Sequence, residues 1–153
     1  MEARLDYANA SPEAYKAMLQ MEGVVRRSGI DPKLLELMKI RASQLNGCAY
    51  CIDMHTKDAR FKGEAEQRIY ALDAWREAPF YTDKERAALA WTEAITNIQT
   101  GHAPEAVYQE LSRNFSEQER LNITFAITTI NAWNRIAIGF RSVPGTYQPS
   151  ASR

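Results

Sequence analysis

The residues of this chain that could do chemistry are concentrated between Glu36 and His55. This stretch holds both cysteines of the protein, as Cys48-Ala-Tyr-Cys51, and one of its two histidines, His55, four residues after the second cysteine. It also holds a glutamate, Glu36, with helical sequence on either side. Thiols at C-x-x-C spacing either ligate a metal or cycle between dithiol and disulfide. A closed zinc site needs four ligands. Cys48, Cys51, His55 and His102 are the only cysteines and histidines, and their first three members are packed more tightly than the split spacing of a zinc knuckle. His102 lies in a Gly-Pro loop, where exposure to solvent is expected. The redox reading is therefore the stronger one.

Two helices must position these groups. Residues 32–45 place Leu34, Leu35, Met38 and Leu45 on a roughly 3.6-residue period. Asn46-Gly47 reads as a helix end, since both residues tolerate left-handed backbone angles. A second helix is expected from about Cys48 to Lys62, stopped by Gly63. On it Cys48, Cys51 and His55 share a face. If the two helices fold back around Asn46-Gly47, Glu36 falls opposite about residue 57, a mismatch with His55 of only ~3 Å along the axis. The order along this line is Glu36, His55, Cys51, Cys48.

A free thiol has a pKa near ~8.5, and only the thiolate attacks. His55 can take a proton from Cys51 or pair with its thiolate, and Glu36 can fix the imidazole tautomer. Cys48, in the first turn, has the helix dipole in its favour. Cys51 has the histidine within one turn, whereas Cys48 is two turns, ~10 Å, away from it. Cys51 is thus favoured as the attacking thiolate and Cys48 as the resolving thiol. A disulfide between them is feasible, because helical i,i+3 α-carbons fall within about 4.4–6.8 Å.

The pattern Glu-x11-Cys-x2-Cys-x3-His, and above all Leu45-Asn-Gly-Cys-Ala-Tyr-Cys-Ile-Asp-Met-His55, resembles the core motif of the alkylhydroperoxidase AhpD-like proteins of the carboxymuconolactone decarboxylase superfamily. Arg4-Leu-Asp-Tyr7 and Trp133-Asn-Arg-Ile-Ala-Ile-Gly-Phe-Arg141 also resemble one branch of it. The resemblance implies an all-α helical bundle and a trimer or hexamer. It also implies thiol-dependent peroxide reduction with the second cysteine as peroxidatic residue, activated through the histidine and glutamate. Members of the family carry a histidine just before the second cysteine. Here that residue is Tyr50, as a site wall or relay member, and a phenol is a poor base at neutral pH. The scheme needs a hydroperoxide and an external dithiol reductant, with no metal or organic cofactor. Two other readings are a lactone decarboxylase, which has no need of a dithiol, and a non-catalytic redox sensor or oligomeric binding protein whose disulfide changes packing.

The 153 residues are expected to form one domain, with six to seven helices and an irregular tail over 142–153. Nineteen basic residues balance nineteen acidic ones, which argues against a nucleic-acid surface and mildly favours self-association. No apolar leader and no run of about 18 apolar residues appears, so a cytoplasmic protein without a membrane span is expected. Residues 1–10 read as an arm docking through Leu5 and Tyr7. Helices are expected at 12–28 behind Ser11-Pro12, at 65–77, from the Thr82–Glu85 capping box to about 98, at 105–113, and from the Ser116–Glu119 capping box to 140. The stretch 123–130 is also readable as a strand from its β-branched content. Asp53 and Asp58 are assigned to the solvated side of the motif helix.

Overall fold

The computed structural model describes residues 2–150. Among them are nine α-helices and one 3-10 turn, with no strand. Six helices are long: α2 (Pro12–Arg26), α3 (Pro32–Asn46), α4 (Ala49–Phe61), α6 (Asp83–Thr96), α8 (Glu105–Asn114) and α9 (Glu117–Phe140). The other three, α1 (Tyr7–Ala10), α5 (Glu66–Tyr70) and α7 (Ile98–Gly101), are about one turn each. These short pieces account for the excess over the expected six to seven.

The bundle is built around α3. Asp31 caps it, accepting from the Lys33 and Leu34 amides at 3.0 and 2.9 Å, with Pro32 in the first turn. Every residue from Leu34 to Ser43 is buried. Leu34, Leu35 and Met38 pack with Val25, Trp91 and Ile127; Leu37 and Ile40 pack with Ala59, Leu72 and Leu89. A third, smaller cluster joins Ala42 to Cys48, Cys51, Ile130 and Ala137. A helix enclosed on all sides must also satisfy its polar side chains. Arg41 therefore pairs with Glu93 at 2.7 Å and with Asp73, and Lys39 pairs with Glu22.

Gly47 ends α3 in the left-handed region, at φ +69°, and Cys48 N–H returns to the Ser43 carbonyl at 2.9 Å. This is the Schellman closure, and it turns the chain directly into α4. Gly63, at φ +80°, ends α4 in the same way, with Glu64 N–H on the Ala59 carbonyl.

The strand reading of 123–130 is corrected. The Ser116–Glu119 capping box starts one helix that runs to Phe140, and its buried positions, from Ile123 through Ile127 and Ile130 to Ala137, recur every three or four residues. The helix expected over 65–77 breaks into α5 and a 3-10 turn at Leu72–Ala74. The break falls where the Arg68 carbonyl, the acceptor a continued helix would give to the Leu72 amide, takes the Tyr81 hydroxyl instead, while Arg86 donates to the carbonyls of Trp75, Arg76 and Ala78 beyond it. The N-terminal arm also differs from expectation. Asp6 caps α1, accepting from Ala8 and Asn9 amides at 3.1 Å. Tyr7 docks against Tyr15 and Phe140, but Leu5 is exposed. Arg4 ties the arm to the end of α9 through the Phe140 and Gly139 carbonyls. No helix among the described residues is long and apolar enough to cross a membrane.

Candidate active site: two thiols beside a buried histidine–glutamate pair

The α3–α4 hairpin brings Glu36 and His55 into contact. His55 Nδ1 lies 2.8 Å from Glu36 Oε2, and both side chains are almost wholly buried. The Lys62 ammonium, from the end of α4, takes the other Glu36 oxygen. Burial alone would push the Glu36 carboxyl upward. The hydrogen bond and charge of His55, the charge of Lys39 and the hydrogen bond from Lys62 outweigh it and hold the carboxyl down to about 2. Glu36 is therefore a fixed anion behind the imidazole, and with Nδ1 engaged the other ring nitrogen, Nε2, is left for chemistry.

Cys48 caps α4 and Cys51 sits in its first turn. Their Sγ atoms are 2.6 Å apart and both are free thiols, so the two sulfurs are in direct contact. Donation from Cys51 lowers the Cys48 thiol to about 7 against the cost of burial, helped by the backbone amides of Cys51 and Tyr50 and by the Asn134 side chain. Cys51 is pushed up by giving its hydrogen bond to Cys48, by burial and by the Cys48 charge. The dithiol thus loses one proton near neutrality as a unit, and the charge rests first on Cys48.

Access favours the other sulfur. A cavity of about 210 Å³ is lined by Cys51 and His55, by Tyr50, and by Tyr15 and Trp133, whose rings meet edge to face at 5.8 Å. Cys48 lies outside this lining. Glu22, from α2, completes the wall and is bonded to Lys39, which is 1% exposed. Burial would raise the Glu22 carboxyl, but the charges and hydrogen bond of Lys39, with His55 and Arg26 adding, lower it. A larger cavity of about 470 Å³, between the starts of α3 and α6, contains no cysteine or histidine.

The structure therefore gathers Glu36, His55, Cys51 and Cys48 in one place, with Tyr50 on the cavity wall. His102 is exposed, at the end of α7. Asp58 is a correction: it is buried, not solvated, because Tyr147 from the tail donates to it at 2.6 Å. One ligand-type atom each from Glu36, His55 and Asp58 lies within 4.8 Å of the others. These atoms already meet N–H and O–H donors from Lys62 and Tyr147, which is the pattern of a hydrogen-bond network rather than of a metal cage.

Sequence reasoning missed Asn134. Its amide donates to Ser43 Oγ at 3.0 Å, accepts from Asn46 at 2.8 Å, and lowers both thiols. An amide in the middle of an apolar helix was the available signal. Lys39, three residues after Glu36, was missed as well, because nothing local distinguishes a buried lysine from an exposed one.

An all-helical bundle whose cavity is lined by the second cysteine of a C-x-x-C pair and a histidine one turn on, with a glutamate behind it, defines an AhpD-like protein. Residues 12–94 match the carboxymuconolactone decarboxylase family, and the chain belongs to that family. It is 46% identical over 138 residues to the uncharacterised protein YdfG of Bacillus subtilis, covering 90% of this chain and 94% of that one. The alkyl hydroperoxide reductase AhpD of Acidobacterium capsulatum is 38% identical over 65 residues, 40% of this chain and 35% of that protein. Among solved structures, an Agrobacterium tumefaciens protein of unknown function, described as an AhpD antioxidant-defence candidate, superposes with a TM-score of 0.92 at 46% identity, over 95% of this chain and all of that one. The debrominase Bmp8 shares the fold at 20% identity and a TM-score of 0.79, over 90% of this chain and 74% of that one.

Proposed function

We propose that the protein is a thiol-dependent peroxidase that reduces hydroperoxides through Cys51 and Cys48. The observation carrying this reading is the contact of the two sulfurs, 2.6 Å apart, at a cavity that Cys51 lines together with a Glu36-held His55. With one proton of the pair taken by His55 Nε2, transfer of the other to Cys48 leaves the thiolate on Cys51, where a substrate enters. The Cys51 thiolate attacks the terminal peroxide oxygen. The O–O bond breaks, Cys51 becomes a sulfenic acid, and the alkoxide leaves as alcohol with a proton from His55. Cys48 then condenses with the sulfenic acid, forming the disulfide and releasing water. An external dithiol reopens it by exchange and leaves as its own disulfide. Tyr50, a poor base, serves as a wall of the cavity. Lactone decarboxylation, the other chemistry the family name invites, has no use for paired thiols.

A trimer or hexamer is part of the same proposal. Leu19 and Val24 on α2 are 47% and 54% exposed, and Leu121 and Phe125 on α9 are 61% and 51% exposed. Apolar surface of this kind is what an assembly covers.

The test is peroxide consumption with excess dithiol, run beside Cys51→Ser and Cys48→Ser. Turnover in the wild type, lost in both variants, is the expected result, with a sulfenic acid trapped in Cys48→Ser and absent from Cys51→Ser. A wild type that consumes no more peroxide than the variants overturns the reading.

A further inference from the structure

The C-terminal tail has no regular structure, yet it is tied at successive points to α4, the helix that carries Cys51 and His55. Gly145 N–H donates to Asp53 Oδ2 at 3.0 Å. Lys57 donates to the carbonyls of Gly145 and Tyr147 at 3.3 and 3.1 Å. The Tyr147 hydroxyl donates to Asp58 Oδ1 at 2.6 Å. Gly145 makes the turn at φ +107°, a conformation that side chains rarely adopt.

Asp58 gives these ties a role in the site. It follows His55 by three residues, so it shares that face of α4, and it is buried beside Glu36 and His55. Two carboxylates therefore stand near one imidazole and one ammonium. Glu36 holds both of these donors, His55 Nδ1 and Lys62. Asp58 is supplied from outside the hairpin by Tyr147.

We propose that Tyr147 is a positioning residue for the dithiol site: its hydroxyl engages Asp58, holds that carboxylate away from His55, and keeps the imidazole paired with Glu36. Without the hydroxyl, a buried carboxylate is left short of a donor, which is costly. A replacement at hand is the His55 imidazole, with a ring nitrogen within 4.8 Å of the Asp58 carboxylate. An imidazole drawn toward Asp58 no longer holds Nε2 in the same place at the cavity it lines with Cys51, and catalytic rates are steep in such displacements. The kinetic consequence rests on the peroxidase reading; the effect on His55 does not.

Tyr147→Phe removes only the hydroxyl, from a partly exposed tail. The proton on His55 Nδ1, hydrogen-bonded to Glu36, is followed as a low-field resonance in protein labelled with ¹⁵N-histidine, and kcat and KM for peroxide are measured alongside. The expected result is a shifted Nδ1 proton resonance and a kcat reduced about five-fold, the worth of one hydrogen bond, with KM unchanged. Adding Asp58→Asn replaces the competing anion by a neutral amide, and is expected to restore the resonance and most of kcat. If Tyr147→Phe leaves the resonance where it was, or if Asp58→Asn fails to restore it, the tail is only a tether and the proposal is wrong. A wild type without peroxide turnover overturns the peroxidase reading instead, while the resonance and its rescue still decide the role of Tyr147.

Discussion

At the residue scale, the controlling fact is that ionic groups are held inside the bundle as alternating charges: Glu22 with Lys39, then Glu36 with Lys62 and His55. Buried pairs of this kind contribute little to net stability, but breaking one is expensive. Glu36 makes the consequence measurable. Its folded carboxyl is depressed from 4.5 to about 2, so its stabilisation is present in full above pH 4.5 and disappears as pH falls toward 2. The size is about 3 kcal/mol by linkage. Urea unfolding at a series of pH values should show wild-type stability falling through this window. Glu36→Gln should be less stable at neutral pH and flatter across the window; parallel pH curves for the two proteins would mean that Glu36 is not the controlling carboxylate. The same scale shows where two local cues diverge. The lower thiol pKa belongs to Cys48 and the open cavity to Cys51, and the two sulfurs are in contact at 2.6 Å.

At the scale of elements, the site depends on one turn. Gly47 at φ +69° lets α3 end and α4 begin within two residues, and that reversal puts Glu36 opposite His55. Nothing lies within 4 Å of an added Cβ there, so Gly47→Ala has no clash to relieve and its cost is backbone strain alone. A loss of about 1 kcal/mol is expected, read as a lower urea midpoint at unchanged slope. A stability equal to wild type would show that the turn relaxes out of the left-handed region. Helix limits followed local signals closely wherever a cap or a glycine marked them. The expected 32–45 and 48–62 became Pro32–Asn46 and Ala49–Phe61, and both capping boxes formed. Residues 65–77 did not follow, because the Arg68 carbonyl that a continuous helix would need is taken by the hydroxyl of Tyr81, a residue beyond the segment. No reading of the segment itself contains that competitor.

At the scale of the whole molecule, α2 is the element left over. Of its fifteen residues only Glu22 and Val25 are buried, while Leu19, Met21 and Val24 face outward. A helix so poorly covered within one chain fits a surface that meets another copy. Sedimentation at micromolar concentration should give the mass of three or six chains, and Val24→Arg, a charge placed in the exposed apolar face, should lower it. A monomer in the wild type would contradict the proposed assembly.

The sequence by itself determined the hairpin and which side chains it brings together, because their spacing along two helices and one glycine turn is a local property. Glu36, Cys48, Cys51 and His55 were legible for that reason, as was the all-helical class. The tertiary structure alone decided what surrounds them. Lys39 is buried because α2 brings Glu22 over it, Asn134 reaches both thiols from 83 residues beyond Cys51 because α9 crosses the hairpin, and Asp58 is buried because the tail returns to it. Such contacts form between segments distant in sequence, where no periodicity records who the partner is. A lysine, an asparagine or an aspartate reads the same on a wet face as in a core until the chain has closed over it.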